Sequence, residues 1–158
     1  MGSVHNRGTL YFAYGSNLNR RRMFERCPSA NPVRTHELLG WKLIFRRTAD
    51  IVPCFGHTVI GGLYRITEAD SWALDRYEGI RRGRYRRKHF LVGGQWVLSY
   101  VMDSSISEEA PSAEYLALID QGYQDWRLPT AGLALTSAHA LGVDSLVGGT
   151  EGAEPHPS

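Results

Sequence analysis

Apolar positions along this chain follow two rhythms, and the changes between them place the elements. Residues 9–14, Thr-Leu-Tyr-Phe-Ala-Tyr, form an apolar run that stops at Gly15, the pattern of a buried strand. Residues 19–26 predict a short helix ending before Cys27-Pro28. Residues 33–47 predict two strands or one bent strand, with Gly40 at the bend. Residues 57–67 predict a further strand, and its Gly61-Gly62 pair marks a bulge or a close approach by other backbone. The period then turns helical. Ala69, Trp72, Ala73 and Tyr77 make one stripe, opened by Thr67 with Asp70 three residues on and closed by Gly79. Residues 84–92 and 95–103 flank Gly93-Gly94, a hairpin signal. Pro111-Ser112 opens a helix running to about Gln124, and Pro129-Thr130 opens another reaching Leu141.

Strands, a helix, a hairpin and then helices leave few strict βαβ units. The order predicts an α+β domain with a mostly antiparallel or mixed sheet, and the short strands with paired glycines suit a small curved sheet or barrel. A length of 158 residues predicts one domain, over residues 8–141. From Gly142 the chain is dominated by Gly, Pro, Ser and acids, so residues 142–158 are expected to be a disordered tail. The composition, 42% hydrophobic and 22% charged, is that of a soluble globular protein. No apolar run approaches the roughly 18 residues of a membrane span, and "MGSVHNRG" carries no signal-peptide core. Cytoplasmic residence is the expectation, with Cys27 and Cys54 as free thiols.

Charge adds an asymmetry. Residues 1–88 hold 17 of the 18 Lys and Arg, whereas residues 89–158 hold only Arg127 against nine acids. Such a split marks either a polyanion-binding face or two halves that attract each other. No nucleic-acid-binding motif accompanies the arginines, so nucleic acid is not the favoured partner. In the segment 81–88, strand alternation turns Arg84, Arg86 and Lys88 to solvent and places Tyr85 with Arg87 on the other face.

Strong catalytic signatures are missing: there is no G-x-S-x-G, no P-loop and no H-E-x-x-H. Cys54 and His57 alone have ligand-like spacing, too little for a metal site. Two weaker features remain. The turn Gly15-Ser16-Asn17-Leu18, between a strand end and a helix start, is either an ordinary N-cap turn or a cradle of backbone N–H groups for an anion. Glycine there permits positive φ and close ligand approach. Glu78 ends the predicted helix before Gly79, where the helix dipole opposes its negative charge and raises its pKa. It is either a proton carrier or a solvated helix-end carboxylate beside basic neighbours.

Taken in order, "YFAYGSNL", "MFERCPSA", "IGGLYRIT", "LDRYEG", "SYVM" and "APSAEY" resemble the γ-glutamylcyclotransferase-like family, from about Leu10 to Ala140. The likeness is to the branch with YGSNL rather than those with YGSL or YGTL. The resemblance implies an α+β fold, a small mixed barrel with flanking helices, and assigns Glu78 as catalytic acid/base. It assigns Tyr14, Gly15, Ser16, Asn17 and Leu18 to the turn that holds a glutamyl group, and Tyr85, Tyr100 and Tyr115 to the same pocket. It implies release of 5-oxoproline from a γ-glutamyl conjugate by attack of its own α-amine, with no cofactor or metal. A small-molecule substrate is then the expected partner. A non-catalytic binding module of the same fold, or an acidic-partner module using Arg81 to Lys88, is the competing reading.

Overall fold

A computed structural model describes residues 8–131 together with Leu133 and Thr136. Among the described residues, from Thr9 to Asp125, five strands and three α-helices follow one another: β1 (Thr9–Ala13), α1 (Arg20–Arg26), β2 (Asn31–Arg46), β3 (Thr48–Ile66), α2 (Glu68–Glu78), β4 (Tyr85–Val92), β5 (Gln95–Met102) and α3 (Ala113–Asp125). The helix expected after Pro129, and the tail from Gly142, lie outside the described residues apart from Ala131, Leu133 and Thr136.

The strands form one mixed sheet in the order β2-β3-β1-β5-β4. Only β1 and β5 run parallel; the other pairs are antiparallel. The α+β class is therefore right, but the sheet is open rather than a closed barrel. Side chains bring its two edges together instead: Trp41 of β2 packs edge-on against Phe90 of β4 at 5.1 Å. The Asp50 carboxylate of β3 accepts the Met102 N–H at the end of β5, at 2.9 Å.

The segment expected at 33–47 is one bent strand, β2, which ends at Arg46, with a register shift between Leu39 and Trp41 and Gly40 at φ 81°. Its partner β3 starts at Thr48, well before the expected residue 57. Gly61 and Gly62 are close-approach positions. A Cβ on Gly61 would lie 2.3 Å from the Ala13 carbonyl oxygen, and one on Gly62 2.7 Å from the Trp126 ring. Around β1 the core is closed by Phe12, Leu18, Leu63, Tyr64, Leu98 and Ile119.

The helix caps operate as read, but the apolar stripe does not mark the buried face of α2. Trp72 and Tyr77 are exposed, and Asp70, Ser71 and Leu74 turn inward because the capping box and Leu74 face the core. Thr67 and Asp70 form a full capping box, and Gly79 adopts the left-handed conformation at φ 69°. Ser112 caps α3 by accepting the Tyr115 N–H. The Gly93-Gly94 turn has positive φ at both residues, as a two-residue hairpin of this hand requires. No helix among the described residues is long and apolar enough to cross a membrane.

Candidate active site

Strand β1 delivers the chain to the mouth of a cavity of about 210 Å³, bounded by the turn after β1, α1, the end of α2 and the starts of β3, β4 and α3. Eight of the nine residues singled out in the sequence line it: Tyr14, Gly15, Ser16, Asn17, Glu78, Tyr85, Tyr100 and Tyr115. Leu18 does not. Its side chain is fully buried in the core, and its N–H is spent on the Gly15 carbonyl at 3.1 Å.

The N-cap reading is met one residue beyond the motif. Asn19 caps α1 by accepting the Arg22 N–H. The amides of Gly15, Ser16 and Asn17 then carry no hydrogen bond among the described residues. Gly15 is required for closeness rather than for positive φ. Its φ is −114°, and a Cβ would come within 3.0 Å of the Ala49 methyl and 3.5 Å of the Tyr115 hydroxyl.

Glu78 opens onto this cavity from the last turn of α2. Burial pushes its carboxyl up to about 7, against the opposing charges of Arg26, Arg84 and Arg22 and a hydrogen bond from Asn17. The raised value expected from the helix dipole is present, but desolvation is its main cause. Asn17 ties the carboxyl in place. Its Nδ2 donates to Glu78 Oε1 at 3.4 Å and to the Tyr11 hydroxyl at 3.0 Å, while its Oδ1 accepts from Arg26 at 3.0 Å. The Asn17 carbonyl accepts from the Tyr64 hydroxyl at 2.9 Å, so main chain and side chain are both fixed.

The tyrosines hold the walls. Tyr85 donates to the Ala49 carbonyl at 2.7 Å, and Tyr115 accepts the Ala49 N–H at 3.0 Å, clamping one peptide from both sides. Tyr14 donates to the Tyr100 carbonyl at 2.5 Å. The Tyr100 hydroxyl donates to Asp75 at 2.7 Å, which also pairs with Arg87. Burial raises the pKa of each, so these hydroxyls stay neutral.

Three cations that the motifs did not mark also line the cavity: Arg22, Arg26 and Arg84. Arg84 precedes β4 and faces the cavity instead of sharing a solvent face with Arg86 and Lys88. Positive φ at Gly79 and Gly83 bends the intervening turn so that the Arg84 N–H bonds the Gly79 carbonyl, bringing residues 78 and 84 to one mouth. Helical spacing of Arg22 and Arg26 was the one available signal; nothing local distinguished Arg84 from its basic neighbours. No group of three His, Cys, Asp or Glu side chains is gathered among the described residues.

A family model for gamma-glutamyl cyclotransferase, AIG2-like proteins matches residues 11–128, from β1 through α3. The chain belongs to this family. Gamma-glutamylcyclotransferase of Homo sapiens is 30% identical over 137 residues, covering 76% of this chain and 72% of that protein. The Mus musculus protein of the same name is 31% identical over the same shares. Among solved structures, uncharacterized protein loc79017 from Homo sapiens superposes with a TM-score of 0.70 at 25% identity, over 96% of this chain and 93% of that one. A structure of a gamma-glutamyl cyclotransferase shares the fold at TM-score 0.68 and 24% identity, over 95% and 92% of the two chains. Membership of the gamma-glutamyl cyclotransferase family supports a cyclotransferase-type function.

Proposed function

We propose that this chain converts a γ-glutamyl conjugate into 5-oxoproline and a free amine, with Glu78 as the proton carrier. The observation that carries the reading is a carboxyl near pKa 7 sharing a small cavity with three backbone amides that are unbonded among the described residues.

The substrate holds its own nucleophile. Its α-amine attacks the γ-carbonyl carbon, forming the ring C–N bond and placing negative charge on the carbonyl oxygen. Collapse of that intermediate breaks the original amide C–N bond and expels the amine. Tethered attack in a fixed geometry reaches effective molarities on the order of 10⁵ M or more. What the protein adds is proton management and charge stabilisation. An α-amine with a pKa of roughly 8 is largely protonated at neutral pH and must be relieved of a proton. Once the ring bond has formed the attacking nitrogen is again cationic and must lose a second proton, while the leaving nitrogen must receive one to depart. A carboxyl near 7 takes the proton from the ring nitrogen and hands it to the leaving nitrogen. The proton shed by the α-ammonium before attack is taken up by the freed amine, so no net proton is consumed. The amides of Gly15, Ser16 and Asn17 are the donors for the substrate's carboxylate or for the developing oxyanion; losing one such donor typically costs about 10²–10³ in rate.

Replacing Glu78 with Gln retains an acceptor for Asn17 and removes the base. Release of 5-oxoproline from γ-glutamyl-alanine, followed by mass spectrometry, is expected to fall at least about 10²-fold, while the circular-dichroism spectrum is unchanged. The N-acetyl derivative, without a nucleophile, and α-glutamyl-alanine, without a γ-amide, are expected to be inert. Near wild-type turnover by the Gln variant removes Glu78 from the mechanism, and equal release from all three compounds removes the reaction.

A further inference from the structure

Glu78 is the last residue of α2, and a helix end held only by its own hydrogen bonds frays. Leu74 buries the preceding turn, but Arg76 and Tyr77 are exposed, so the last turn needs an anchor of its own. Asp75 supplies it. It stands three residues before Glu78, a neighbour on the helix surface, and its carboxylate is held from two strands at once. Arg87 of β4 donates Nε to Oδ1 at 2.8 Å and Nη2 to Oδ2 at 2.7 Å, a two-pronged contact. The Tyr100 hydroxyl of β5 donates to Oδ1 at 2.7 Å. Arg87 Nη2 also reaches the Ser71 hydroxyl one turn earlier, at 3.4 Å.

Arg87 and Tyr100 are register partners across the β4–β5 ladder, so both side chains rise from one face of the sheet to meet α2. The bonds continue past the helix. The Tyr100 carbonyl accepts from the Tyr14 hydroxyl, and Tyr14 leads directly into the Gly15–Asn17 amides. Tyr100 is thus bonded through its side chain to the helix bearing the carboxyl, and through its main chain to the turn bearing the amides. Folding stability does not account for the arrangement. The Asp75 and Arg87 side chains are 26% and 36% exposed, and ion pairs so placed add little to stability. Neither residue lines the cavity, so neither is placed to touch a substrate bound there. Burial would raise the Asp75 carboxyl, but the hydrogen bonds from Arg87 and Tyr100 and the guanidinium charge outweigh it and hold the carboxyl below its ordinary value.

We propose that Asp75 and Arg87 are positioning residues for Glu78: their two-pronged contact pins the last turn of α2 to the sheet and so sets the distance between the Glu78 carboxyl and the Gly15–Asn17 amides. The kinetic part of the inference rests on the reaction proposed above. A proton carrier and a set of anion donors that act on one small substrate must be held in register, and a displacement of about 1 Å costs on the order of 10² in rate. A lysine in place of Arg87 keeps the charge but not the fork, so it restores the contact only in part.

The test compares Arg87→Met with Arg87→Lys, using 5-oxoproline release from γ-glutamyl-alanine. Arg87→Met is expected to lower kcat by about 10- to 100-fold with KM nearly unchanged, and Arg87→Lys to recover a substantial part of the loss. Arg86→Met, the next residue on β4 with its side chain on the opposite face, is expected to leave kcat unchanged. Carbon-13 NMR of the glutamate carboxyls, recorded without substrate, follows Glu78 directly. Its titration near pH 7 in wild type is expected to fall toward the ordinary carboxylate range in Arg87→Met, as the loosened side chain gains water. The charges that act on Glu78, from Arg26, Arg84 and Arg22, are all retained in that variant, as are the neutral tyrosines around it. An unmoved Glu78 titration in Arg87→Met overturns the inference, whatever happens to kcat. General unfolding of both variants, seen by circular dichroism, also overturns it, because the pair then holds the fold rather than the carboxyl. A Glu78 shift in Arg87→Met, beside a wild type that releases no 5-oxoproline, overturns the reaction and upholds the positioning.

Discussion

Glu78 places a reactive carboxyl where its charge is poorly solvated, and that has a stability signature separate from turnover. The folded carboxyl titrates near 7, against about 4.5 for the free side chain, so the folded state holds its proton more tightly. Below about pH 4.5 the group is neutral in both states and carries no penalty. Between about 4.5 and 7 the unfolded chain ionises first and stability is lost; above 7 the loss is complete, on the order of 3 kcal/mol. Glu78→Gln stays neutral throughout. It is expected to melt a few degrees above wild type at pH 8 and to match it near pH 4.5, measured by calorimetry. Equal melting temperatures at pH 8 would show that the carboxyl is solvated after all. Legibility differed residue by residue here. Glu78 was visible because a helix end and a glycine framed it. The part played by Asn17 was not: its side chain reaches Glu78, Tyr11 and Arg26 across up to 61 residues of sequence, a convergence that only the folded chain creates.

At the scale of elements, the helices declared themselves through caps, which act within four residues and need no tertiary context. Strand β3 did not. Its first half, Thr48 to Gly56, contains Pro53 and a terminal glycine, poor strand formers, and is held as a strand by pairing with β2 from Arg46↔Thr48 to Trp41↔Pro53. The barrel expectation failed for a related reason: curvature was legible in the paired glycines, whereas closure depends on which edges meet. Those glycines set up a graded test. A methyl at Gly61 meets the Ala13 carbonyl oxygen at 2.3 Å and the Phe12 ring at 2.6 Å, contacts against the strand that feeds the candidate active-site turn. A methyl at Gly56 meets nothing within 4 Å and suffers only its φ of 81°. Gly61→Ala is expected to cost about 2–3 kcal/mol in urea unfolding and to depress turnover by moving Tyr14 and Gly15, while Gly56→Ala costs about 1 kcal/mol and leaves turnover intact. Similar effects at both sites would mean that β1 is not pressed against β3 as described.

For the whole molecule, the decisive feature is how an open sheet holds a cavity whose walls come from both ends of the strand order. The closure runs through Asp50, wholly buried on β3. It accepts from Arg46 at 3.0 Å through one oxygen and from the Met102 N–H through the other, joining β2, β3 and the end of β5. The adjacent Ala49 peptide is the one that Tyr85 and Tyr115 clamp, so the same short stretch joins the sheet edges and shapes the cavity. Removing one partner of a buried ion pair strands the other, a loss of about 3–5 kcal/mol, whereas replacing both with apolar groups of similar size is often nearly neutral. Asp50→Ala is therefore expected to destabilise by about 3–5 kcal/mol, and Asp50→Asn by somewhat less, since it keeps an acceptor for one of the two donors and sets its N–H2 against the other. The double change Arg46→Met with Asp50→Leu removes the stranded charge but also the tie to Met102. It is expected to recover much of the stability lost in Asp50→Ala without recovering turnover of γ-glutamyl-alanine, because Ala49 is no longer held against β5. Denaturant midpoints and 5-oxoproline release measured on the three variants separate the two roles. If the double variant regains both, the ion pair serves stability alone and the cavity is shaped elsewhere.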